Sequence, residues 1–469
     1  MVNLSAGEIL KVTGGELLFG SLRQKAVGVS SDSRQVRGGE LFIPLSGRNF
    51  DGHDFIALAL AKGAAGSLVQ RGREKSAAGD NQQEKFAIVV GNALKALGDL
   101  AHAWRSRQPV KVVAITGSNG KTTTKEMTAG ILSRNFQVLK TEGNLNNLIG
   151  LPLMLLRLTL EHEVAVLEMG MSEPGEIRRL KEIAEPQVSA IINIGRAHLE
   201  FLGSLEGVAR AKGELWEGVR KEDWIAVNVD DPRVVKLAAP AKCRKKTFGI
   251  LKQADIRAED LRFEEGKGAS FSLRMDRKKR AVRLAAFGRH SVYNALAAAA
   301  LAGILGMGPE EIRAGLEEFQ PFSGRGKILE LGQNVRVLDD SYNANPDSLL
   351  AMLSAFAGMK GKDRGLLVMG DMLELGPASP AEHEKAGIEI GEMGFAHIFF
   401  MGGKAPHLAR GALASGIEEK KVHTASSHEE VLRSLEKIIE KGDWILVKGS
   451  RAMQMERIIR GLENFLGRA

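Results

Sequence analysis

The chain has 469 residues, of which 44% are hydrophobic and 26% charged, and its formal net charge is +8. This balance is typical of a globular protein, and the length exceeds one ordinary core, so two or three domains are expected. Acidic residues are interspersed with the basic ones, and aromatic residues make up only 5%, too few for a base-stacking surface. The composition argues against nucleic acid as a partner and favours a small, multiply anionic ligand.

The cysteine and the apolar segments bear on the compartment. The single cysteine, Cys243, cannot form an internal disulfide, which suits a reducing compartment. The first residues show no basic segment followed by an apolar run, so no signal peptide is expected. No apolar stretch reaches the roughly 18 residues of a membrane span. These features predict a cytoplasmic protein without membrane insertion.

Hydrophobic periodicity divides the chain into three regions. Short strands and turns with one or two helices indicate a small α/β domain over 1–107, which ends near a Gln-Pro pair. Strands then alternate with helices over 108–322, which is typical of a mostly parallel sheet with helices on both faces. The alternation starts again over 323–469 and predicts a third α/β domain. In the central region, Ser172 is expected to cap a helix whose first turn contains Pro174.

The stretch AITGSNGKTTTKEM, residues 114–127, joins a predicted strand to a predicted helix. A glycine-rich turn at this place directs backbone N–H groups at an anion, and a following lysine and threonine reach phosphates and Mg²⁺. The usual motif has about four residues between its glycines, whereas this one has two, so a plain turn with a surface lysine is the alternative. The order of strand, glycines, lysine and threonine favours nucleotide binding. The predicted nucleotide contacts are Gly117, Ser118, Asn119, Gly120, Lys121, Thr122 and Thr123.

Two further residues follow predicted strands of the central region. Glu168 ends the strand VAVLE, and His198 follows the segment VSAIINIGRA. The carboxyl ends of parallel strands share one edge, so both residues are expected near the phosphate loop. Glu168 is a candidate Mg²⁺ ligand and His198 a candidate ligand of a second metal. The alternatives are a helix-capping carboxylate and a hydrogen-bonded loop histidine.

Seven segments occur in the order TGSNGKTT, EGNLNNLIGLP, LEMGMSEPGEI, NIGRAHLEFLGS, AKGEL, DDSYNANPDS and VKGSRAMQME. This set resembles the Mur ligases, the ATP-dependent amide-forming enzymes of bacterial cell-wall synthesis, over nearly the whole chain. GNLNNLIGLP and DSYNANP are most similar to the D-alanyl-D-alanine-adding members of that family. The segment SSDSRQVRGGELFIPLSGRNFDGHDF resembles their uridine-nucleotide-binding domain. The DNPR signature of the diaminopimelate-adding members does not occur in the sequence.

The resemblance implies a fold and a reaction. It implies a UDP-sugar-binding domain, a central P-loop-type ATP-binding domain and a Rossmann-like C-terminal domain that binds the amine, in a monomer. ATP is expected to phosphorylate the terminal carboxylate of UDP-N-acetylmuramoyl-tripeptide. The amine of D-Ala-D-Ala then attacks the acyl phosphate, and phosphate leaves. Lys121 and Mg²⁺ are needed to neutralise the charge that develops when two anions meet.

The resemblance also implies a set of metal and catalytic residues. Thr122 or Thr123 and Glu168 hold Mg²⁺, and His198 holds a second metal. Lys212, within AKGEL, matches a lysine that many family members carry as a carbamate, which turns a cation into an anion with two oxygen ligands. The alternative for Lys212 is a helix lysine paired with Glu214 or Glu217.

Nucleotide contacts are implied outside the phosphate loop. Asn294 and Asn343 or Asn345 match positions near adenine and ribose, since amides read purine edges through a paired donor and acceptor. Arg325 is expected to reach the γ-phosphate from the third domain, and Asp340 to contact ATP. Helix and turn capping is the alternative for the asparagines, and a solvated linker arginine is the alternative for Arg325.

The remaining implied residues contact the UDP-linked substrate. One group forms a polar turn for uridine and its diphosphate, although an ordinary turn has the same composition. A second group lies in a Gly-Asn loop and orients the substrate carboxylate, or satisfies loop backbone groups instead. The predicted substrate contacts are Ser31, Asp32, Ser33 and Arg34 in the turn, Asn144, Asn146 and Asn147 in the loop, and Asn345.

Three other functions compete with this interpretation. The first is another amide ligase of the same superfamily, such as a folylpolyglutamate synthase-like enzyme. The second is a P-loop switch or kinase that forms no amide. The third is a basic ATPase that binds nucleic acid, which the low aromatic content disfavours.

Overall fold

The protein is described from a computed structural model that covers residues 2–47, 50–77, 84–264 and 268–467. It divides into two compact units. The first unit contains 1–115, 135–171 and 175–189, and the second contains 116–134, 172–174 and 190–469. The division falls inside the predicted central domain, so the parts of that domain are described with their own units.

The N-terminal region of the first unit is built on a small mixed sheet. Its elements are β1 Asn3–Ser5, α1 Ala6–Thr13, β2 Glu16–Phe19, β3 Lys25–Val27, β4 Val29–Ser30, β5 Leu41–Phe42, α2 Ile56–Ala61, β6 Gly66–Gln70, β7 Phe86–Val90 and α3 Ala93–Arg105. The sheet has the order β2-β7-β6-β5-β4, in which only the β2–β7 pair is antiparallel. Strand β7 is buried on both faces, as expected for an inner strand of a covered sheet.

The next stretch of chain continues the alternation of strands and helices. Its elements are β8 Lys111–Thr116, α4 Lys121–Leu132, β9 Val138–Lys140, α5 Gly150–Leu155, β10 Val164–Glu168, α6 Glu176–Ala184 and β11 Val188–Ile191. Strand β10 pairs in parallel with β8 and β9, which matches the predicted parallel arrangement. The predicted start of α6 is wrong. Gly175, in the left-handed region, is its N-cap, so Ser172 and Pro174 precede the helix.

The second unit continues with β-strands that the sequence did not indicate. Its elements here are α7 Leu199–Leu202, α8 Leu205–Gly213, β12 Trp224–Asn228, α9 Pro232–Ala238, β13 Arg244–Gly249, β14 Ile256–Glu264, β15 Gly268–Met275, β16 Lys278–Leu284, α10 Arg289–Ile304 and α11 Pro309–Glu318. Strands β12, β13 and β14 are parallel, whereas β14, β15 and β16 form an antiparallel meander. Helix α10 packs against α4, the helix that follows the phosphate loop.

The C-terminal region of the second unit is a six-stranded α/β layer. Its elements are β17 Lys327–Leu331, β18 Val335–Asp340, α12 Pro346–Lys360, β19 Gly365–Gly370, α13 Ser379–Gly391, β20 His397–Met401, α14 Ala405–Ala414, β21 Val422–Ala425, α15 His428–Ile438, β22 Trp444–Lys448 and α16 Glu456–Leu466. The order is β17-β18-β22-β19-β20-β21, parallel except for β17. Two buried clusters pack against the sheet, one built around Phe356 and one around Phe399. No helix of the described residues could cross a bilayer.

Candidate active site

The phosphate loop turns sharply between β8 and α4. Gly120 has φ +80° and is the N-cap of α4, a conformation that side chains rarely adopt. A Cβ at Gly120 would lie 2.1 Å from Oδ1 of Asn294, so both backbone and space require glycine. Asn294 is buried in α10 and therefore lies directly against the end of the loop.

The loop is held by side chains that follow β11. The Ser118 hydroxyl donates to the carbonyl of Gly195 at 2.9 Å and accepts from its N–H at 2.8 Å. The N–H of Asn119 donates to Oδ1 of Asn193 at 2.9 Å, and the Asn193 amide donates back to the Asn119 carbonyl at 3.1 Å. Two reciprocal pairs thus fix the loop before any ligand binds. Asn193 lies within the segment NIGRAHLEFLGS, but it was not among the residues predicted from the sequence.

Lys121 begins α4 and is the cation of the loop. Its Nζ donates to the carbonyl of Gly117 at 2.9 Å, which folds the side chain back over the turn. Its charge lowers the pKa of two other groups, Lys212 and Glu374, so these three side chains share one electrostatic neighbourhood. A strand, a glycine turn and a helix N-terminus together with this lysine make an anion site.

Lys212 lies in the last turn of α8 and is completely buried. Among the described residues its Nζ has no hydrogen-bond partner, so the alternative pairing with Glu214 or Glu217 is wrong. Burial, and next the charge of Lys121, lower the pKa of Lys212 well below its usual range. The side chain is therefore a buried amine with a strong tendency to be neutral.

His198 and Glu374 face each other with unusual backbones. Nδ1 of His198 lies 2.6 Å from Oε2 of Glu374, although its geometry does not meet that of a hydrogen bond. Both residues have positive φ, 54° and 63°, a strained conformation that is common at functional sites. The neighbouring His198 ring and Lys121 hold the pKa of Glu374 below its usual value, while burial opposes them. The sequence missed Glu374, which is far from His198 along the chain.

A cavity of about 220 Å³ in the second unit brings the predicted nucleotide contacts together. Its wall contains the following predicted residues: Ser118, Asn119, Gly120, Lys121, Thr122, Thr123, Asn294, Arg325, Asp340, Asn343 and Asn345. Its apolar part includes Phe287, Phe319 and Met352, a suitable surface for a purine ring. Two further wall residues that the sequence missed are His290 and Lys448.

Lys448 organises one end of this cavity. It ends β22 beside Asp340 of β18 in parallel register, and its buried Nζ donates to Oδ2 of Asp340. The same Nζ donates to the carbonyl of Asn343 at 3.0 Å. Burial lowers the pKa of the nearby His290, and the charge of Lys448 acts in the same direction while Asp340 opposes it. Lys448 thus fixes the side chain of Asp340 in the wall of the cavity.

The asparagines of the segment SYNANP have local partners. Asn345 is the N-cap of α12, accepting from the N–H of Ser348 at 2.9 Å, and its amide donates to Oδ1 of Asn119 at 2.8 Å. Asn343 accepts from the N–H of Ala344. Capping, the alternative for these asparagines, is therefore present at Asn345. Arg325 stacks on Tyr342, with its Cζ 4.1 Å from the ring centroid.

Glu168 belongs to the first unit, where a polar loop orients it. Its Oε1 accepts from Nδ2 of Asn146 at 2.7 Å, and its backbone N–H donates to Thr141. Oε2 is buried and has no partner among the described residues. Asn147 accepts from the N–H groups of Ile149 and Gly150 at the start of α5, whereas the side chain of Asn144 is exposed.

The turn after β4 is satisfied by its own side chains. Both oxygens of Asp32 accept from the Arg34 guanidinium at 2.9 Å, and Oδ1 also accepts from its backbone N–H. These bonds lower the pKa of Asp32 to about 2. Ser33 is buried, Ser31 is half-buried, and Arg34 is exposed and can reach a ligand.

The residues present fit Mg²⁺, although they form no ready-made cage. The described residues contain no group of three His, Cys, Asp or Glu side chains that could hold a metal. Mg²⁺ commonly binds through one or two carboxylates together with phosphate oxygens and waters. In the first unit, Glu168 supplies a buried carboxyl oxygen that has no partner among the described residues. In the second unit, Thr122 and Thr123 supply hydroxyls in the wall of the cavity.

Three family models match successive parts of the chain. They are the Mur ligase family catalytic domain over 25–105, the Mur ligase middle domain over 115–302, and the Mur ligase glutamate ligase domain over 324–451. The chain therefore belongs to the Mur ligase family. The resemblance that the seven sequence segments indicated is confirmed.

Particular relatives narrow the comparison within the family. The chain is 37% identical to the UDP-N-acetylmuramoyl-tripeptide--D-alanyl-D-alanine ligase of Escherichia coli K12, over 99% of both chains. It superposes on a crystal structure of MurF from Acinetobacter baumannii with a TM-score of 0.89, 33% identity and 99% coverage of both chains. MurF from Thermotoga maritima in complex with ADP gives a TM-score of 0.82 at 29% identity, over 93% of this chain and 97% of that one. The predicted three-domain α/β fold is confirmed.

Proposed function

We propose that this chain is the ATP-dependent ligase that joins D-alanyl-D-alanine to UDP-N-acetylmuramoyl-tripeptide. The products are UDP-N-acetylmuramoyl-pentapeptide, ADP and phosphate. The full-length similarity to ligases of that name and the ADP complex of a similar protein support the proposal. The observation that carries it is the cavity in which a phosphate loop and a positioned Lys121 meet residues of the C-terminal region. The charge of Lys121 also acts on the buried Lys212.

The chemistry explains why cations surround the loop. A carboxylate is a poor electrophile, and its phosphorylation supplies a good leaving group for attack by an amine. The phosphoryl group must approach a second anion, so positive charge has to be in place before the reaction. Lys121 lies at the helix N-terminus, where it can contact the outer phosphate oxygens. Arg325 is proposed to reach the γ-phosphate, and its guanidinium lies over the ring of Tyr342.

Mg²⁺ is proposed to be held by Glu168 and by Thr122 or Thr123. When bound, it neutralises phosphate charge and orients the reacting oxygens. Asn146 donates to one oxygen of Glu168 and so leaves the other available. His198 is proposed to serve a second metal, with Glu374 orienting its ring.

Lys212 is proposed to carry a carbamate. The neutral amine attacks CO₂, a nitrogen–carbon bond forms, and one proton is released, which leaves an anion with two oxygens. The lowered pKa of this lysine favours the neutral amine that the step requires. The charge of Lys121, which disfavours a cation at Lys212, would favour an anionic carbamate there.

The other predicted contacts are assigned by position. Asn294, Asn343 and Asp340 are proposed to contact adenosine or its phosphates within the cavity. The turn residues Ser31, Asp32, Ser33 and Arg34 are proposed to bind the uridine diphosphate. The remaining proposed substrate contacts are Asn144, Asn146, Asn147 and Asn345. We further propose that the chain acts as a monomer in the cytoplasm, where ATP is supplied.

A coupled assay tests the reaction. Phosphate release from ATP is measured with the UDP-linked tripeptide, in the presence and absence of D-Ala-D-Ala, and the product is weighed by mass spectrometry. We expect release to depend on the dipeptide and the product mass to be that of the pentapeptide. Phosphate release that is the same with and without D-Ala-D-Ala would contradict the proposal. Release that instead requires a single amino acid, such as glutamate, would favour another amide ligase of the superfamily.

A further inference from the structure

Arg196 joins two helices of the C-terminal region to the chain that follows β11. Its backbone N–H donates to Oδ2 of Asp347 at 2.6 Å, and its guanidinium donates to Oδ1 through Nε at 2.9 Å and Nη2 at 2.6 Å. Nη1 donates to Oε2 of Glu382 at 2.9 Å. Asp347 lies in the first turn of α12 and Glu382 in the first turn of α13. One arginine therefore holds both helix starts.

The ion pairs of Arg196 are more enclosed and more closely fitted than ordinary surface ion pairs. Only 21% of the Arg196 side chain is exposed, and Glu382 is equally enclosed. Nε and Nη2 of Arg196 converge on Oδ1 of Asp347 while its backbone N–H occupies Oδ2, and such charge-assisted hydrogen bonds are stronger than neutral ones. Asp347 also lies close to the backbone before Arg196, since a Cβ at Gly195 would lie 2.5 Å from Oδ2 of Asp347.

The Arg196–Asp347 contact is connected to residues that line the cavity. Gly195, directly before Arg196, exchanges two hydrogen bonds with Ser118 of the phosphate loop. Asp347 itself lines the cavity, and Asn345, two residues before it, donates to Asn119 of the same loop. The segment that leads into α12 also carries Asp340 and Asn343. The Arg196 pairs thus act in parallel with the Asn345–Asn119 bond.

We propose that Arg196 is a positioning residue for the nucleotide. By pairing with Asp347 and Glu382 it holds the first turns of α12 and α13 at a fixed distance from the phosphate loop. Arg196 does not line the cavity, so it acts through Asp347 and through the segment before α12. The inference rests on the proposed nucleotide-binding function of this cavity.

Calorimetric titration of the full chain with ADP tests the proposal. Arg196→Ala is expected to weaken ADP binding about 10-fold, a usual size for coupling between two parts of a site. In the ligase assay the same variant should raise KM for ATP while KM for D-Ala-D-Ala stays unchanged. A residue that only stabilises the fold would lower the melting temperature without this split between the two KM values.

Arg313 supplies the matched control. It also makes two ion pairs, with Glu310 at 3.1 Å and Glu317 at 2.6 Å, but it lies on α11 and does not line the cavity. Arg313→Ala should leave ADP affinity unchanged. An equal loss of affinity in both variants would overturn the positioning role.

A double-mutant cycle tests whether Glu382 affects ADP binding through Arg196. Glu382→Gln should weaken ADP binding two- to threefold by itself, on the order of one lost charge-assisted contact that acts indirectly. Adding it to Arg196→Ala should change nothing further, because Glu382 acts only through Arg196. If Arg196→Ala does not fold, Glu382→Gln alone must still weaken ADP binding, and unchanged affinity in that variant would overturn the inference.

The outcomes distinguish this inference from the proposed function. A wild-type chain that binds no ADP would overturn both. If the wild type binds ADP and Arg196→Ala binds it equally tightly, the positioning role is overturned and the proposed ligase reaction is unaffected. ADP binding that depends on Arg196 in a chain without ligase activity would support the positioning role and contradict the reaction.

Discussion

The phosphate loop and the Ser31–Arg34 turn are both short polar turns that the sequence assigned to anions, and they are built in opposite ways. The turn satisfies its polar groups internally, since Asp32 accepts three bonds from Arg34. The loop takes its partners from residues far along the chain, including Asn193 and Asn345.

The two turns differ in what fixes their shape before a ligand binds. A turn closed on itself keeps its shape in almost any surroundings, so its side chains have first to release one another before they can bind a ligand. A loop fixed by distant residues presents a helix N-terminus and a cation to a ligand only when the domain has folded around it. Substitutions around the cavity should therefore have larger effects than substitutions in the turn.

The largest effect is expected for Lys121→Ala. Loss of the cation that faces the phosphates should reduce turnover by about 10² or more with folding intact, the scale of losing a charge-stabilising donor. Steady-state kinetics and a thermal melt measure both quantities. Lys111→Ala, which removes an exposed lysine at the start of β8, is the control and should keep wild-type activity. Near-normal turnover of the Lys121 variant would contradict the expectation that substitutions in the phosphate loop have larger effects than substitutions in the Ser31–Arg34 turn.

A large effect on stability is expected for Lys448→Met. The substitution leaves the buried carboxylate of Asp340 without its cation, which should cost about 2 kcal/mol of unfolding free energy, less than for a fully buried pair because Asp340 opens onto the cavity. Urea denaturation measures the change. The double variant Lys448→Met with Asp340→Asn should recover most of the loss. A single variant as stable as the wild type would show that the pair does not organise this wall.

A pH-dependent effect is expected at Lys212. Its pKa is lowered in the folded protein, so between that value and the pKa of an unfolded lysine the unfolded chain binds more protons. The stability of the uncarbamylated protein should therefore rise with pH across that interval, as urea denaturation at a series of pH values would show.

The same residue should make activity depend on CO₂. After acid treatment that removes a carbamate, added bicarbonate should restore activity several-fold, and more readily at higher pH, where the amine is neutral. Lys212→Met is the control and should show no response to bicarbonate. Activity of the wild type that is independent of CO₂ would return Lys212 to a purely structural role.

The smallest effect is expected for the turn. Arg34→Ala removes an exposed guanidinium that pairs with Asp32, so the fold should lose little stability. KM for the UDP-linked substrate should rise about threefold, a modest value for one solvated contact, while KM for ATP stays constant. Unchanged KM values for both substrates would leave the turn with no binding role. If Arg34→Ala reduced turnover as much as Lys121→Ala, the expectation of a smaller effect in the turn than in the phosphate loop would be contradicted.

The local part of the site could be predicted because its chemistry is contiguous. Residues 117–123 contain the glycines, the lysine and the threonines of an anion-binding turn, and the strand and the helix on either side have clear periodicity. The N-cap of α6 was mispredicted for a physical reason. Ser172 and Pro174 are good helix-start residues, but the positive φ of Gly175 places the start of the helix after it.

The sequence by itself determined the family, the α/β alternation and the identity of the phosphate loop, because each depends on residue types at short spacing. Only the tertiary structure decided that Lys212 has no hydrogen-bond partner among the residues that the structure describes, that Glu374 faces His198 and that Lys448 holds Asp340. The reason is that burial and pairing depend on which distant segments meet. No local pattern records the desolvation of an amine or the direction of a carboxylate that lies far away along the chain.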